Sequence, residues 1–592
     1  MARDLWRRVS APPWVASYVV PTGLVVVYVA IACLAFWPVE PLSRSHLVGC
    51  ACSDPVQEAW FLAWPSYALR HGLNPFFTEY LNYPRGINLA MNTEMPLLGV
   101  LAAPVIWLRG PVAAFNLLLR ASFALSATSM TFVVRRYTRW WPASFAAGLL
   151  YGFSPFMVGE GFGHLFLTFA PLPPVIAACL HEICRSDAGR VRRQGLLLGA
   201  LCVLQYFISI EVLVSTALVC GLVMAGTALR RPRAAWALRG RLARAGGIAA
   251  AVFVPLVAYP TWYLLRGPEH VIGPPHSVAN LAPLKSDLLS PIVPTLNQVV
   301  GGHRLLSIGT SFGGGDRPEL GGYLGITLIV LLAYLVVRFR RDHIVLLAAG
   351  LTAVSLILSF GSPLLVDGHS SGVPLPFAAL VHLPVLQGVV ALRFSLFEQM
   401  GAALLLGIGL DRLRGPPPAA AAAAHRRAGV VLLIGAAALV PLWPRYPYAS
   451  SPVADPAYFT SGADSAIPAG SLVLTYPYDV DPVNDAMLWQ AQSGMRFRIF
   501  GGQASRPGAD GKATSAPAAL APLVTQGLFQ SAYAGASPAR QAAQLTARTY
   551  AGLRAFVIHY GVGTVVVDPV GADPGLVVRA LTAALGKAPQ AI

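Results

Sequence analysis

Apolar residues run through this chain in stretches of membrane-crossing length, and short arginine clusters stand between them. Residues 15–37 form the first stretch, with Arg3, Arg7 and Arg8 ahead of it. Residues 112–134 form the next and end at Arg135-Arg136-Tyr137-Thr138-Arg139, followed by 143–158 and 165–183. The run 195–229 has basic clusters at both ends, so it is predicted to be two short helices that turn near Ser209 and Glu211. Residues 248–265, 323–337, 344–360, 389–410 and 430–443 complete the series. Residues 95–108 are apolar but too short to cross and contain Pro96 and Pro104, so this segment is predicted to be re-entrant or to lie at the surface. With that choice every strong arginine cluster falls on one side, which gives about 11 spans and a cytoplasmic N-terminus.

This parity sets the organisation. Residues 1–443 are expected to form a polytopic α-helical membrane domain, with external loops at 38–94, 266–321 and 361–388. Beyond residue 443 the pattern changes to strand-length apolar runs, Ser471-Leu472-Val473-Leu474-Thr475 and Gly563-Thr564-Val565-Val566-Val567. Pro, Gly and Asp punctuate them, with Ala-rich helical stretches such as 541–553 in between. Residues 444–592 are therefore expected to be an extracytoplasmic α/β domain, exported by the odd number of spans.

Composition agrees with that class. The chain has 592 residues, of which 55% are hydrophobic and only 12% charged, and its mean hydropathy is +0.59. These values place it in a cell membrane as a multi-pass protein. The formal charge of +17 does not point to nucleic acid, because the arginines lie where cytoplasmic loops are expected. Five of the seven cysteines, Cys33, Cys179, Cys184, Cys202 and Cys220, fall in or beside apolar runs, and Cys50 and Cys52 would close only a short, strained ring. No Cys/His set has metal spacing, and there is no Walker loop, Rossmann fingerprint or nucleophile elbow. An ATP-driven transporter is thereby disfavoured.

Candidate chemistry concentrates in the first external loop. Asp54 followed by Pro55 predicts a helix start with the aspartate as N-cap, and Trp60, Trp64 and Tyr67 recur at helical spacing. The simplest picture is an interfacial helix, with its aromatic stripe toward lipid headgroups, Asp54 and Glu58 toward a cavity, and a kink or stop at Pro65. A cap and a first-turn acid favoured by the helix dipole account for the same two residues without chemistry. Glu160 and His164 lie in a glycine-containing external turn, where a polar pair suits a sugar. The long loop 266–321 holds Lys285, Asp287, His303, Arg304 and Asp316, with Arg304 taken as substrate-binding. Arg393 falls inside a span near its outer end. Such an arginine must face a cavity or snorkel, and either a lipid phosphate or Glu398 would suit it as a partner.

These residues carry a resemblance. The run D-P-x-x-x-x-W-F-L-A-W at 54–64, then Asn74-Pro75-Phe76, Tyr83 to Asn88 as Y-P-x-G-x-N, Ser154-Pro155-Phe156-Met157, Gly163-His164 and Leu392-Arg393-Phe394 are similar to bacterial members of the GT-C superfamily of integral-membrane glycosyltransferases. The resemblance implies transfer of a sugar from a polyprenyl-phosphate donor to a glycan, lipid or protein acceptor on the external face. Asp54 would be the general base, aided by Glu58, and Arg393 would steady the departing phosphate. No cofactor is implied. Pro55 stands where many members have a second adjacent acid. A non-catalytic membrane scaffold and a lipid or polysaccharide transporter remain the alternatives on the same fold.

Overall fold

The computed structural model describes residues 20–50, 53–185, 187–274, 281–383, 386–416, 421–453, 457–479, 483–515, 523–535 and 537–590. The N-terminal arginines Arg3, Arg7 and Arg8 and Cys52 lie outside them. Cys50 is disulfide-bonded, whereas the five cysteines in or beside apolar runs are free.

The first helix, Val20–Ala35, packs along Pro111–Arg135. Tyr28 locks the two together, since its hydroxyl meets Thr131 Oγ1 at 2.7 Å and donates to the carbonyl of Phe145 at 2.8 Å. Gly148 permits that approach, because a Cβ there would lie 2.1 Å from Thr131 Oγ1. Small residues at such crossings are what let membrane helices pack backbone to backbone. Trp141–Gly152 and Ser395–Arg414 close this bundle, with His343–Ser359 packed on the latter. A second group, Leu172–Arg185, Val191–Tyr206, Ile210–Arg230 and Pro232–Arg266, stands beside it.

Among the described residues six helices are long and apolar enough to cross a membrane: Pro111–Arg135, Leu165–Arg185, Ile210–Arg230, Pro232–Arg266, Ala391–Arg414 and Ala422–Leu442. Val20–Ala35, Ile326–Arg338 and His343–Ser359 are apolar but shorter. Helix lengths alone therefore do not reproduce about 11 spans. The stretch 143–158 is not one helix. It breaks at Ser154, whose hydroxyl accepts the Met157 N–H while Pro155 opens a new helix, Pro155–Glu160. The basic stretch after Arg230 is helix, not loop: Pro232–Arg266 runs for 35 residues, as expected where Arg and Ala, both good helix formers, alternate. Residues 95–108 form two short helices, Pro96–Leu101 and Ala103–Arg109, with Leu101, Trp107 and Leu108 exposed.

In the C-terminal segment, strand Leu472–Tyr476 is central to a three-stranded sheet, with Thr564–Val567 and Arg498–Ile499 parallel on either side. Helices Leu523–Ala534, Ala547–Tyr560 and Pro574–Leu585 cover a core that includes Leu474, Phe529, Leu553 and Leu576. His46–Val48 pairs antiparallel with Ser450–Pro452, which ties the loop after the first helix to the start of this segment.

Helix Ser53–Arg70 corrects the interfacial picture. Trp60 and Trp64 are 0% and 1% exposed, stacked at 5.6 Å within a cluster that also holds Met487, Trp489 and Phe497. Their stripe faces the C-terminal segment, not lipid, because that segment satisfies the indole of Trp60: its Nε1 donates to Gln490 Oε1 at 2.6 Å. The Trp64 indole donates to the carbonyl of Pro75. Buried along most of its length, the helix also continues through Pro65 to Arg70 instead of stopping, tertiary packing outweighing the proline penalty.

Candidate active site

The helix Ser53–Arg70 presents Asp54 and Glu58 one turn apart. Facing them is the turn between Pro155–Glu160 and Leu165–Thr168. Gly49 fixes their approach: its φ is +91°, and a Cβ there would sit 2.4 Å from the carbonyl oxygen of Phe162. Only glycine lets the chain lie against that turn before it enters the Asp54 helix.

His164 is the hub. Its Nε2 lies 3.2 Å from Asp54 Oδ2 and its Nδ1 2.5 Å from Glu160 Oε2. Glu160 is fully buried. Glu58 is 1% exposed and accepts the Leu165 N–H at 2.8 Å, which anchors the backbone behind the histidine. The Asp54 side chain is 42% exposed and is the outward face of this set. Its carboxylate does not cap its own helix as expected; it bonds to His164, Ser53 and Gln503.

Charge states follow from these contacts. Burial alone would raise the Asp54 carboxyl, but the hydrogen bond and charge of His164, with Ser53 and Arg393, hold it below its ordinary 3.8. Burial would lower His164, yet Asp54 and Glu160 carry it well above 6.5. Glu58 is pushed well above 4.5 by burial, which outweighs His164 and the Leu165 amide. The contacts thus favour an Asp54 carboxylate beside a His164 imidazolium, with Glu58 biased toward its neutral form. Such an array can take a proton at Asp54 while holding its orientation through the imidazolium.

Arg393 adjoins this cluster, its guanidinium 5.7 Å from the ring centroid of Phe166. It does not pair with Glu398, whose carboxylate oxygens are buried without a hydrogen-bond partner among the described residues. It is held by Glu211 at 2.5 Å and by Glu319 at 3.2 Å, two carboxylates from distant segments. These contacts engage its terminal nitrogens, while its Nε has no hydrogen-bond partner among the described residues. Glu319 is buried, and burial with the nearby Glu160 pushes its carboxyl up to about 7 against the opposing pull of Arg393 and His164.

Glu319 arrives on a loop that begins with Gly313, Gly314 and Gly315, all at positive φ. Asp316 on the same loop is exposed, and its carboxyl is raised by partial burial and by Asp54 and Glu160, with His164 opposing. Arg317 lies over the Phe162 ring at 3.9 Å, its Nε on Asn297 Oδ1 at 3.2 Å, and none of its nitrogens is paired with a carboxylate among the described residues. Arg304 sits exposed on the helix His303–Gly309 and shares no hydrogen bond or ion pair with this cluster.

Glu160, His164 and Glu319 each offer one ligand atom, all within 4.8 Å of one another, and are the described residues able to share a cation. Both imidazole nitrogens already meet carboxylates, so the arrangement is that of a hydrogen-bonded set. No metal spacing is visible in the sequence because the third member lies far along the chain.

The C-terminal segment contributes the residue that sequence reasoning missed altogether. Gln503 Nε2 donates to Asp54 Oδ1 at 3.0 Å. Glu211, Glu319 and Arg317 went unassigned as well. The local signals were a lone acid at the start of an apolar run, an acid and an arginine after a triple glycine, and a glutamine after Gly501-Gly502.

The family model for a domain of unknown function, DUF6311, matches residues 23–382. No curated protein matches the sequence. Among solved structures the chain is similar to the arabinofuranosyltransferase AftD from Mycobacteria, at 15% identity and a TM-score of 0.54, covering 94% of this chain and 36% of AftD. The chain thus spans little more than a third of that protein's length. It is also similar to the oligosaccharyltransferase of Archaeoglobus fulgidus in the apo form, at 12% identity and TM-score 0.46, covering 81% of this chain and 64% of that one. A further neighbour is ArnT from Cupriavidus metallidurans bound to undecaprenyl phosphate, at 14% identity and TM-score 0.35, covering 81% and 86%. These neighbours are GT-C glycosyltransferases, and the fold of the chain is the GT-C fold.

Proposed function

The chain belongs to the DUF6311 family, whose description assigns no activity, and on that footing we propose that it is a membrane glycosyltransferase using a polyprenyl-phosphate sugar on the external face. The observation that carries this reading is a half-exposed carboxylate, Asp54, at the outer edge of an otherwise buried cluster of acids, histidine and arginine. The GT-C fold and the motifs around Asp54 and Arg393 support it.

Asp54 takes the proton of the acceptor hydroxyl as that oxygen bonds to the anomeric carbon of the donor. The bond from that carbon to phosphate oxygen breaks, and the polyprenyl phosphate leaves with the electron pair. The low pKa of Asp54 keeps it ionised across the physiological range. A weak base suffices where positive charge at the anomeric carbon makes a neutral hydroxyl a competent nucleophile. His164, backed by Glu160, holds the carboxylate in place. Arg393 orders Glu211 and Glu319, and Arg317 is assigned the charge of the leaving phosphate.

Purified protein in liposomes, given polyprenyl phosphates that carry different labelled sugars together with envelope extract as acceptor, tests this directly. Transfer of label from at least one donor is expected, with Arg317→Ala reducing it through weaker use of the donor. Absence of transfer from every donor by folded protein would favour a scaffold.

A further inference from the structure

Beneath Asp54 an amide network crosses from the C-terminal segment to the first external loop, and the side-chain amide nitrogens of Gln503 and Asn484 each donate twice. Gln503 Nε2 donates to Asp54 Oδ1 at 3.0 Å and to Ser53 Oγ at 2.8 Å. Its Oε1 accepts from Asn484 Nδ2 at 2.7 Å, and Asn484 also donates to the carbonyl of Ser53 at 2.5 Å. The main chain of Gln503 is fixed too, its carbonyl accepting from Gln57 Nε2 at 2.5 Å. Because Asn484 presents a donor, the oxygen of Gln503 must face it, which leaves the amide nitrogen for Asp54.

The local chain is built to deliver that amide. Gly502 has φ +126° and lies on Leu81, and a Cβ at Gly501 would sit 2.1 Å from the carbonyl oxygen of Asp479. Gln503 and Asn484 are 8% and 2% exposed, so water does not compete freely for their amides. Asp54 Oδ2 is set by the membrane part through His164, and Oδ1 by the C-terminal segment through Gln503.

We propose that Gln503 is a positioning residue for Asp54, and that the reactive site is composite, incomplete without the C-terminal segment. The inference rests on the glycosyltransferase reading for its kinetic consequence but not for the contact itself. An amide donor facing the carboxylate fixes which lone pair points to the acceptor hydroxyl. Its removal acts on turnover more than on donor binding, since it touches no part of the donor.

The test uses full-length protein. Gln503→Ala deletes the donor. Gln503→Glu keeps shape and the oxygen for Asn484 but turns a second carboxylate oxygen toward Asp54. A kcat loss of roughly 10–100-fold is expected for Gln503→Ala, the range for a hydrogen bond to a charged group. Gln503→Glu should lose more, with KM for the donor within about twofold in both. Asn484→Ala added to Gln503→Ala should cost little more, because the two act as one unit. In parallel, ¹³C-edited infrared difference spectra against Asp54→Asn locate the Asp54 carboxylate stretch, which Gln503→Ala should shift. Parental kcat in both Gln503 variants, or a rise in KM with kcat kept, overturns the inference, as does an unmoved infrared band. Should the parent transfer no sugar, the activity reading falls while the infrared band alone decides for or against Gln503.

Discussion

His164 holds a carboxylate on each ring nitrogen, and its charge is the residue-scale property easiest to check. Its folded pKa lies well above the ordinary 6.5 because Asp54 and Glu160 outweigh the cost of burial. Between those values the native state keeps a proton that the unfolded chain has released, so stability falls as pH rises. The contribution is full below about pH 6.5 and is lost as pH climbs through the raised value. Thermal unfolding in detergent should therefore show a drop in Tm on the alkaline side that His164→Asn lacks. A Tm profile unchanged by the substitution would mean that the imidazole is neutral. Asp54, Glu160, His164 and Arg393 were each conspicuous in the sequence as polar groups beside or inside apolar runs. Glu160 and His164 read as a pair, but the link to Asp54 did not, because Asp54 and His164 are 110 positions apart, and Glu398, only five residues from Arg393, looked the nearer partner.

At the scale of the element, helix Ser53–Arg70 shows how far periodicity reaches. The spacing of Trp60, Trp64 and Tyr67 correctly specified a helix with one aromatic face. It could not say what that face meets, since lipid headgroups and a second domain both suit an amphipathic indole. The partner, Gln490, is 430 residues away. Trp60→Phe should leave Gln490 Oε1 buried without a donor and cost about 1–3 kcal/mol. Trp60→Ala, which also empties a large buried volume, should cost about 3–5 kcal/mol. Unfolding measurements that found both variants within a few tenths of a kcal/mol of the parent would return the stripe to the membrane surface. The same limit explains the segment after Arg230: clustered arginines indicate a cytoplasmic side, and nothing in them forbids a helix.

At the scale of the whole molecule, the change in pattern near residue 443 is the ground for expecting a helical membrane part joined to an α/β segment. Hydropathy located the helices, while their ends depended on caps such as Ser154 and on which faces find protein partners. Orientation rests on the arginine clusters. Reporter fusions after Arg139, Arg193 and Arg341 should read as cytoplasmic, and fusions after Asn88 or Ala469 as external. An external reading at Arg139 would invert the parity and put the Asp54 loop and the C-terminal segment on opposite sides. That outcome cannot be reconciled with the hydrogen bonds that join Gln503 and Asn484 to residues 53 and 54.

The central claim, that the molecule transfers sugar with Asp54 as base, is tested most directly by the single-turnover rate of Asp54→Asn in purified, folded protein with donor bound. Asparagine keeps one oxygen, enough for Gln503 or His164 but not for both, and cannot take the proton of the acceptor. Loss of a general base typically costs about 10²–10⁴-fold, and a fall of that size with donor affinity retained is the expected result. Glu58→Gln, which keeps an acceptor for the Leu165 amide, should stay near the parental rate. Transfer by Asp54→Asn at the parental rate would contradict the account.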